Sequence, residues 1–430
     1  MNQTIKTRIE QIGRGKVPEG YKKTKVGIVP KDWEETRFKK MFSRLMRKNR
    51  EGNDNVLTIS AQYGLISQSD FFNKSIASED KSNYFLLHKG EFAYNKSYSN
   101  GYPYGALKRL DFYEKGIVSP LYICFAKTEE NKCSDFYAHY FEGGLMNKEI
   151  KAFAQEGARN HGLLNIAVED FFNAHLLNPP IEEQEKIAEI LSAQDKLISL
   201  KEKLIEQKKQ QKKYLMQQLL TGKKRLPGFT GEWEEVQMED VLVVKNGYAF
   251  KSKEYDNANG EFKIITIKNV KDGYMDLTQC SCIAKLPEDI QEHQILKIGD
   301  VLVSLTGNVG RVCIVNAEKT LLNQRVGKLH FFDKVNFEFL YQQLRCPMFL
   351  NNMMEVATGA AQANLSINDI YQYSFFCPQN IKEQQAIADI LSQADEEIEL
   401  LQKNLEEEKN KKKALMQLLL TGIVRVQEEG

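Results

Sequence analysis

Two polar loops, one in each half of the chain, contain residue types that can contact a nucleic acid. The first reads Asn95-Lys-Ser-Tyr-Ser-Asn-Gly-Tyr-Pro-Tyr-Gly105, the second reads Leu305-Thr-Gly-Asn-Val-Gly-Arg311, and each follows a predicted strand. Arginine can pair with guanine, asparagine or glutamine with adenine, and hydroxyl groups and lysines with phosphates. A single residue of this kind is more often part of an ordinary turn. The recurrence of such loops at the same place in both halves favours contact with nucleic acid.

Later polar stretches in each half extend this set of candidate DNA-binding residues. In the first half the candidates are Lys96, Ser97, Tyr98, Asn100, Tyr102, Tyr104, Lys108, Arg159, Asn160 and His161. In the second half they are Thr306, Asn308, Arg311, Gln324, Arg325, Gln362 and Asn364.

The segment Asn178-Pro179-Pro180-Ile181 resembles the Asn-Pro-Pro-Tyr/Phe box of DNA methyltransferases that modify amino groups. In that box the asparagine accepts a hydrogen bond from the target amino group, and the aromatic ring stacks on the flipped base. Ile181 cannot stack, and the corresponding segment Cys377-Pro378-Gln379-Asn380 lacks the motif. The sequence also lacks a glycine-rich strand–turn–helix for S-adenosylmethionine. We therefore interpret the proline pair as the start of a helix.

Other catalytic and metal-binding motifs are absent from the sequence. There is no Gly-x-x-x-x-Gly-Lys-Ser/Thr loop for ATP, and the six histidines lack metal-ligand spacing with acids or cysteines. The seven cysteines are scattered, which predicts reduced thiols in a cytosolic protein and no structural zinc. We therefore predict that the chain has no catalytic residues and binds neither a metal nor a cofactor itself.

The composition is that of a globular protein with two or three domains. Apolar residues make up 42% and charged residues 27% of the 430 positions, with a net charge of +1. Residues 1–50 carry +10 (fifteen Lys/Arg, five Asp/Glu), whereas residues 393–410 carry −5 (seven acids, two lysines). This asymmetry fits either solvated faces or a basic edge that faces DNA. Since no secretory signal and no apolar run of about 18 residues is present, we predict a cytoplasmic protein.

A segment that occurs twice frames these loops. Residues 181–222 and 381–422 are 200 positions apart and identical at 23 of 42 positions. Apolar residues alternate in steps of four and three, which predicts a long helix with a coiled-coil seam. Gln194 and Lys201 are polar where the second copy has Ala394 and Leu401, which favours pairing of one copy with the other over self-pairing. The simplest such arrangement is an antiparallel pair within one chain. The predicted pairing residues are Ile187, Leu191, Ile198, Ile205, Ile387, Leu391, Ile398, Leu401 and Leu405.

The repeat also predicts the domain organisation. We expect an α+β fold in which two domains of mixed α/β character are separated by two long antiparallel, coiled-coil-like helices, with an internal pseudo-two-fold repeat. Proline precedes each long helix and Leu-Thr-Gly ends it. The predicted segments are 1–25 (completing the cyclic repeat), 26–178 (first domain), 179–222 (first helix), 223–377 (second domain) and 378–430 (second helix and tail).

Over nearly its whole length the sequence resembles the specificity subunits of type I restriction–modification systems. The resemblance is carried by Gly20-Tyr-Lys-Lys-Thr-Lys-Val-Gly-Ile-Val-Pro-Lys-Asp-Trp33, by Val118-Ser-Pro-Leu-Tyr122, by Asn323-Gln-Arg-Val-Gly327 and by the duplicated helix. No single segment is diagnostic, but a duplicated helix with two diverged inserts of this length is highly specific.

The resemblance implies a non-catalytic DNA-binding role. Each insert would be a target recognition domain that reads one half of a bipartite double-stranded DNA target. The paired helices would set the spacing between the halves and dock two modification (methyltransferase) subunits. S-adenosylmethionine would be bound by the modification subunits, and ATP and Mg by restriction subunits. The assembly would direct adenine-N6 methylation or restriction.

Two other functions fit parts of the sequence. A self-sufficient adenine methyltransferase would use Asn178-Pro179-Pro180-Ile181 and would bind S-adenosylmethionine, but the cofactor motif is missing and the second copy lacks the box. A coiled-coil scaffold with protein-binding inserts fits the helices equally well. Only the polar loops and the basic N-terminal segment argue against the scaffold.

Overall fold

The computed structural model describes residues 3–60, 63–71, 80–98, 101–128, 133–156, 164–357 and 363–426. The chain separates into two compact units, the first formed by Met1–Lys201 with Asn404–Gly430 and the second by Glu202–Lys403. Both units combine helices with small sheets, which confirms the predicted α+β fold.

The first unit starts with a helix and a hairpin and continues with short strands and helices up to a long helix. Its elements are α1 (Gln3–Gly13), β1 (Tyr21–Lys23), β2 (Ile28–Pro30), β3 (Glu34–Arg37), α2 (Phe38–Met41), β4 (Phe42–Leu45), β5 (Leu57–Ser60), β6 (Gly64–Ser67), α3 (Gln68–Phe71), β7 (Phe85–His88), β8 (Phe92–Asn95), β9 (Ala106–Arg109), β10 (Lys115–Val118), β11 (Ile123–Lys127), α4 (Ser134–Glu142), α5 (Asn147–Phe153), β12 (Gln155–Glu156), β13 (Leu164–Asn165), α6 (Val168–Asn173), β14 (His175–Asn178) and the long helix α7 (Ile181–Leu219).

The second unit contains the elements that follow α7, up to the second long helix. They are β15 (Trp233–Gln237), β16 (Leu242–Asn246), β17 (Phe262–Ile265), β18 (Ser281–Ile283), β19 (Ile295–Leu296), β20 (Val301–Ser304), β21 (Val312–Ile314), β22 (Thr320–Leu322), β23 (Val326–Phe331), α8 (Phe337–Leu344), α9 (Pro347–Ala357), α10 (Ile367–Tyr371), β24 (Ser374–Pro378) and α11 (Ile381–Leu419), with short 3-10 helices at Met238–Asp240, Ser252–Glu254 and Glu292–Gln294.

Each unit contains its own four-stranded sheet, and the two sheets are built alike although the sequences have diverged. In the first unit the strand order is β4-β11-β8-β9, and in the second it is β16-β23-β20-β21. All neighbouring strands in these two sheets are antiparallel. The second unit has a further sheet, β18-β17-β22-β19, in which β17 and β22 run parallel. The two units therefore share this antiparallel sheet but differ in the further strands that accompany it.

Aromatic side chains fill the core of the first unit. Phe38 and Phe125 are fully buried, and their ring centroids lie 5.0 Å apart with an edge-to-face angle of 76°. The same cluster includes Ile187 and Leu191 of α7 and Leu419 of α11. The corresponding cluster of the second unit contains Ile387, Leu391 and Leu219. The ends of both long helices are thus part of the domain cores.

Each long helix begins after the predicted proline-containing segment and ends directly before the predicted Leu-Thr-Gly stop, at Leu219 and Leu419. Both contain 39 residues, which corresponds to a length of about 58 Å. Gly222 and Gly422 have φ angles of +68° and +70°, a region that favours glycine. The amide of Lys224 donates to the carbonyl of Gln218 at 3.0 Å, so the left-handed turn supplies a donor to the helix end.

Contacts within each unit show that the long helices pair in antiparallel fashion, as predicted. In the first unit Gln194 Nε2 donates to Glu408 Oε2 at 2.7 Å. In the second unit Lys212 Nζ lies 2.6 Å from Asp395 Oδ1, and Lys208 contacts Glu397. Residue numbers rise along one helix as they fall along the other. The polar Gln194 that breaks the apolar seam is thus a specific partner for a carboxylate.

Candidate nucleic-acid interface

The second unit contains a cleft of about 600 Å³ lined by four of the predicted DNA-binding residues. They are Thr306, Gln324, Arg325 and Asn364, which come from three separate chain segments. We call this the second-unit cleft. Its other lining residues are Asn246, Leu305, Leu365, Ser366 and Ile367.

Backbone hydrogen bonds hold the three segments of the second-unit cleft together. The amide of Leu305 donates to the carbonyl of Arg325 at 3.0 Å, and the amide of Leu365 donates to the carbonyl of Leu305 at 2.8 Å. The amide of Gly307 donates to the carbonyl of Ala363 at 2.9 Å. The end of β20 therefore bridges the turn before β23 and the segment before α10. Backbone hydrogen bonds therefore fix how the three segments lie against one another.

Gln324 and Arg325 have fixed backbones and exposed side chains. The amide of Gln324 donates to the carbonyl of Tyr248 at 2.9 Å, and the amide of Arg325 donates to Asn323 Oδ1 at 3.2 Å. Neither side chain forms a hydrogen bond or an ion pair with any residue that the structure describes. The guanidinium group of Arg325 and the carboxamide of Gln324 are therefore available to contact a ligand in the cleft.

Thr306 and Asn364 form a hydrogen-bonded pair among the residues that line the cleft. Thr306 is buried, and its Oγ1 donates to Asn364 Oδ1 at 3.1 Å. Asn364 itself is exposed. The bond occupies the carbonyl oxygen of the carboxamide, so the amino group of Asn364 is the part that is presented to solvent.

Asn308 and Arg311 lie on the same loop but do not line the cleft. Ser304 Oγ donates to the carbonyl of Asn308 at 2.5 Å and accepts from the amide of Arg311 at 3.0 Å. Gly310 has a φ of +75°, and a Cβ there would lie 2.9 Å from the Cβ of Met353. The loop is therefore tightly closed, and Asn308 is exposed at its tip.

In the first unit, Tyr102 and Lys108 converge on Glu142 of α4. Tyr102 Oη donates to Glu142 Oε1 at 2.6 Å, and the Lys108 ammonium forms an ion pair with the other carboxylate oxygen. Only 10% of the Lys108 side chain is exposed. Burial, together with Glu142, raises the pKa of Tyr102, so its hydroxyl stays protonated. The sequence did not indicate Glu142, which is 34 positions from Lys108.

The other described candidates of the first unit belong to the same polar loop. Tyr98 is 63% exposed, whereas Lys96, Ser97 and Tyr104 are half-buried. The carbonyl of Tyr104 accepts a hydrogen bond of 2.6 Å from Tyr94. Of these side chains, Tyr98 is the one presented most openly to solvent. Asn100, Arg159, Asn160, His161 and Gln362 lie outside the described residues.

The predicted helix-pairing residues divide into a buried and a half-buried set, and one buried member, Ile205, lies near the middle of α7. Ile187, Leu191, Ile205, Ile387 and Leu391 are buried. Ile198, Ile398, Leu401 and Leu405 are half-buried.

A charged cluster ties α8 to both long helices in the second unit. Arg345 Nη1 lies 2.8 Å from Asp395 Oδ2, Lys212 contacts the other oxygen at 2.6 Å, and Gln342 Nε2 donates to Asp395 at 3.0 Å. Burial alone would raise the pKa of Asp395, but Arg345 and Lys212 outweigh it and hold the pKa below its usual value. The α8 region of the second unit and the two long helices are therefore linked through a paired, ionised carboxylate.

Among the described residues, no group of three or more His, Cys, Asp or Glu side chains could hold a metal ion. Within the same part of the chain, no helix is both long and apolar enough to cross a membrane.

Comparison with known protein families identifies the repeated arrangement of domain and long helix. The profile of the type I restriction modification DNA specificity domain matches the chain twice, over residues 30–210 and 230–409. The chain belongs to this family. It is a DNA specificity subunit of the type I restriction–modification class, with two specificity domains.

Relatives and solved structures agree with this assignment. The type I restriction enzyme MjaVIII specificity subunit of Methanocaldococcus jannaschii is 30% identical over 333 residues, which cover 73% of this chain and 75% of the relative. A chain solved in work on complex assembly and conformational transition of the type I R-M system has a TM-score of 0.56 at 16% identity, covering 92% of this chain and 99% of that chain. The S subunit from M. genitalium has a TM-score of 0.51 at 14% identity, and the match covers 90% of this chain and 96% of the M. genitalium chain. These two structures share the fold.

Proposed function

We propose that each specificity domain reads one half of a bipartite double-stranded DNA target. The proposal is carried by the second-unit cleft, where the side chains of Gln324 and Arg325 are exposed and lack partners among the described residues while their backbones are held in place. In the first unit, Tyr98 is the exposed candidate, and the half-buried Lys108–Glu142 pair acts as a positioning element through Tyr102 of the same loop. The specificity domains are assigned to residues 26–178 and 223–377.

The proposed role of the long helices is to set the number of unread base pairs and to dock two modification subunits. Segments 179–222 and 378–430 are assigned to this task, and segment 1–25 completes the cyclic repeat. The proposal includes no catalysis by the chain itself. S-adenosylmethionine is then bound by the modification subunits, ATP and Mg by the restriction subunits, and the complex acts on adenine N6 in the cytoplasm.

Methylation mapping tests this proposal in cells. The chain is expressed with the modification subunit encoded beside it, and the DNA is read by long-read sequencing. We expect methylated adenine in two short defined sequences separated by a fixed gap. An assembled complex that methylates no split sequence would overturn the proposal.

Two binding measurements on purified protein test the division of labour. Equilibrium dialysis should detect no S-adenosylmethionine binding by the chain alone, and stoichiometric binding would support a self-sufficient methyltransferase instead. Fluorescence anisotropy of the complex should detect an affinity for target DNA that falls about 10³–10⁵-fold between 50 and 200 mM salt if roughly 6–10 phosphates are contacted. A flat salt response would contradict phosphate contacts.

A further inference from the structure

Asn246 lines the second-unit cleft but has no assigned role. It is the last residue of β16, where the apolar run Val241–Val244 gives way to Lys245 and Asn246. The side chain is exposed and forms no hydrogen bond with any residue in the described part of the chain. A free carboxamide at the wall of the cleft can therefore contact a ligand that enters it.

The backbone of Asn246 is held from one side by the short helix Glu292–Gln294. His293 Nε2 lies 3.0 Å from the carbonyl oxygen of Asn246, and Gln294 Nε2 donates to the same oxygen at 3.5 Å. Gln294 is buried and closes a capping box with Gln291. The anchor is thus part of a rigid turn, and the Asn246 carbonyl is occupied while its side chain stays free.

The next two residues fix Asn246 beside the Gln324–Arg325 turn. A Cβ at Gly247 would lie 2.2 Å from the carbonyl oxygen of Asn323, so only glycine allows this approach. The amide of Tyr248 donates to the carbonyl of Leu322 at 2.8 Å, and the Tyr248 carbonyl accepts from the amide of Gln324 at 2.9 Å. Backbone hydrogen bonds therefore tie the segment of Asn246 to the Gln324–Arg325 turn.

The corresponding position of the first unit is also presented to solvent. Met46, 200 positions earlier, follows β4 and is 57% exposed. The side chain at this position is therefore exposed in both units, but the chemical groups that it presents differ. A methionine offers apolar contact, whereas an asparagine offers one acceptor and one donor in a plane. This pattern is expected if the position distinguishes two different target halves.

We propose that Asn246 reads an adenine in the half of the target bound by the second unit, with His293 and Gln294 as positioning residues. The carboxamide of Asn246 can accept from adenine N6 and donate to N7 in the major groove. This inference rests on the proposed function, because it requires that the second unit reads bases.

Competition binding with the reconstituted complex of chain and modification subunit tests the assignment. The competitors are duplexes that carry each single base-pair substitution in the second target half. Asn246→Ala should lose about 10–100-fold of discrimination at one A·T pair and leave the other positions unchanged. Asn246→Asp should favour C·G at that position, because a carboxylate accepts from cytosine N4. Asn259→Ala, an exposed asparagine of the same unit outside the cleft, is the matched control and should change nothing.

The positioning role has a separate readout. His293→Ala should weaken discrimination at the same base pair only, and His293→Gln, which keeps a donor for the Asn246 carbonyl, should restore it. Thermal unfolding of both variants checks that the unit stays folded. Loss of affinity for all duplexes alike would show a merely structural role for His293.

The outcomes separate this inference from the proposed function. If Arg325→Ala alters base preference but Asn246→Ala and Asn246→Asp do not, Asn246 is not a reading residue while the proposed function stands. If the wild-type complex shows no sequence preference, both are overturned.

Discussion

Arg425 forms two contacts with the buried carboxylate of Glu183, at 2.7 Å through Nε and 2.9 Å through Nη2, although 242 positions separate the two residues. Arg225 contacts Glu383 at 2.6 and 2.8 Å in the second unit. The two pairs are 200 positions apart in the repeat. In the second unit the chain runs on from Arg225 to Trp233, whereas in the first unit Arg425 comes from the tail and Trp33 from the start of the chain. The Arg425 pair therefore closes the first unit without a covalent link.

Removing Arg425 should destabilise the first unit selectively. Glu183 is 6% exposed in its side chain and would lose its cationic partner. We expect Arg425→Ala to lower the free energy of unfolding by about 2–4 kcal/mol, because an unpaired buried carboxylate is costly. Urea unfolding followed by the fluorescence of Trp33 measures this loss, in a chain where the other tryptophan is replaced (Trp233→Phe).

Matched variants control for general effects of losing an arginine. Arg225→Ala should destabilise the second unit, reported by Trp233 in a Trp33→Phe chain. Arg14→Ala, at an exposed site, should change stability by less than about 0.5 kcal/mol. Equal loss in both units from Arg425→Ala would contradict the local closure.

The Lys108–Glu142 pair should position the polar loop of the first unit that contains Tyr98 and Tyr102. Glu142→Gln leaves the Lys108 ammonium, which is 10% exposed, without a counter-charge and should cost about 1–3 kcal/mol of stability. The complex should also lose affinity for the first target half only. Competition binding with duplexes altered in one half measures this. Glu182→Gln, at an exposed site on α7, is the control. Unchanged binding by a destabilised Glu142→Gln chain would restrict the pair to a structural role.

His139 should make the stability of the first unit depend on pH. Its Nε2 lies 3.1 Å from Ser192 Oγ, and its Nδ1 lies 3.7 Å from Asp195. Burial lowers the pKa of His139, and Lys412 acts in the same direction, whereas Asp195 opposes both. At the related place in the second unit, Arg345 contacts Asp395 and stays charged. The charged groups that act on His139 are Asp195, Lys412, Asp135 and Arg109.

Because the pKa of His139 is lower in the folded than in the unfolded chain, the first unit should lose stability as the pH falls. An unfolded histidine has a pKa of about 6.5. The contribution of neutral His139 to stability is therefore complete above that pH and is lost as the pH falls toward the pKa of the folded chain. Urea unfolding at pH 7.5 and 5.5 should therefore give a larger loss for wild type than for His139→Gln. An equal loss in both chains would exclude His139 as the source.

Much of the frame could be predicted from the sequence because it depends on local signals. The heptad spacing and the Leu-Thr-Gly ends predicted helices that the structure places at Ile181–Leu219 and Ile381–Leu419. The polar residues that interrupt only the first seam also predicted pairing between the copies, because unlike seams disfavour self-pairing, and the structure pairs Gln194 with Glu408. These features require only neighbours in sequence and one facing helix.

The contacts within the cleft could not be predicted, because they join distant segments. Thr306 meets Asn364 across 58 positions, and Asn246 is held by His293 across 47. Such pairings depend on how the strands are ordered, and the short strands leave that order open. Asn246 had one weak signal, the Asn-Gly step after an apolar run.

Shortening both long helices by one heptad should shorten the gap between the target halves. Deletion of Ser199–Ile205 together with Glu399–Leu405 keeps the seam in register and retains the Gln194–Glu408 contact. It removes about 10 Å of helix, equivalent to about three base pairs of B-DNA. Methylation mapping should detect both halves unchanged and a gap about three base pairs shorter. An unchanged gap would refute the spacing role of the helices.

The central claim is that each unit reads its own half of the target. The most direct test is methylation mapping of three chains side by side: wild type, Arg325→Ala and Tyr98→Ala. We predict a split motif for wild type, a motif relaxed only in one half for Arg325→Ala, and a motif relaxed only in the other half for Tyr98→Ala. If both substitutions relax the same half, or each relaxes both halves, the claim is wrong.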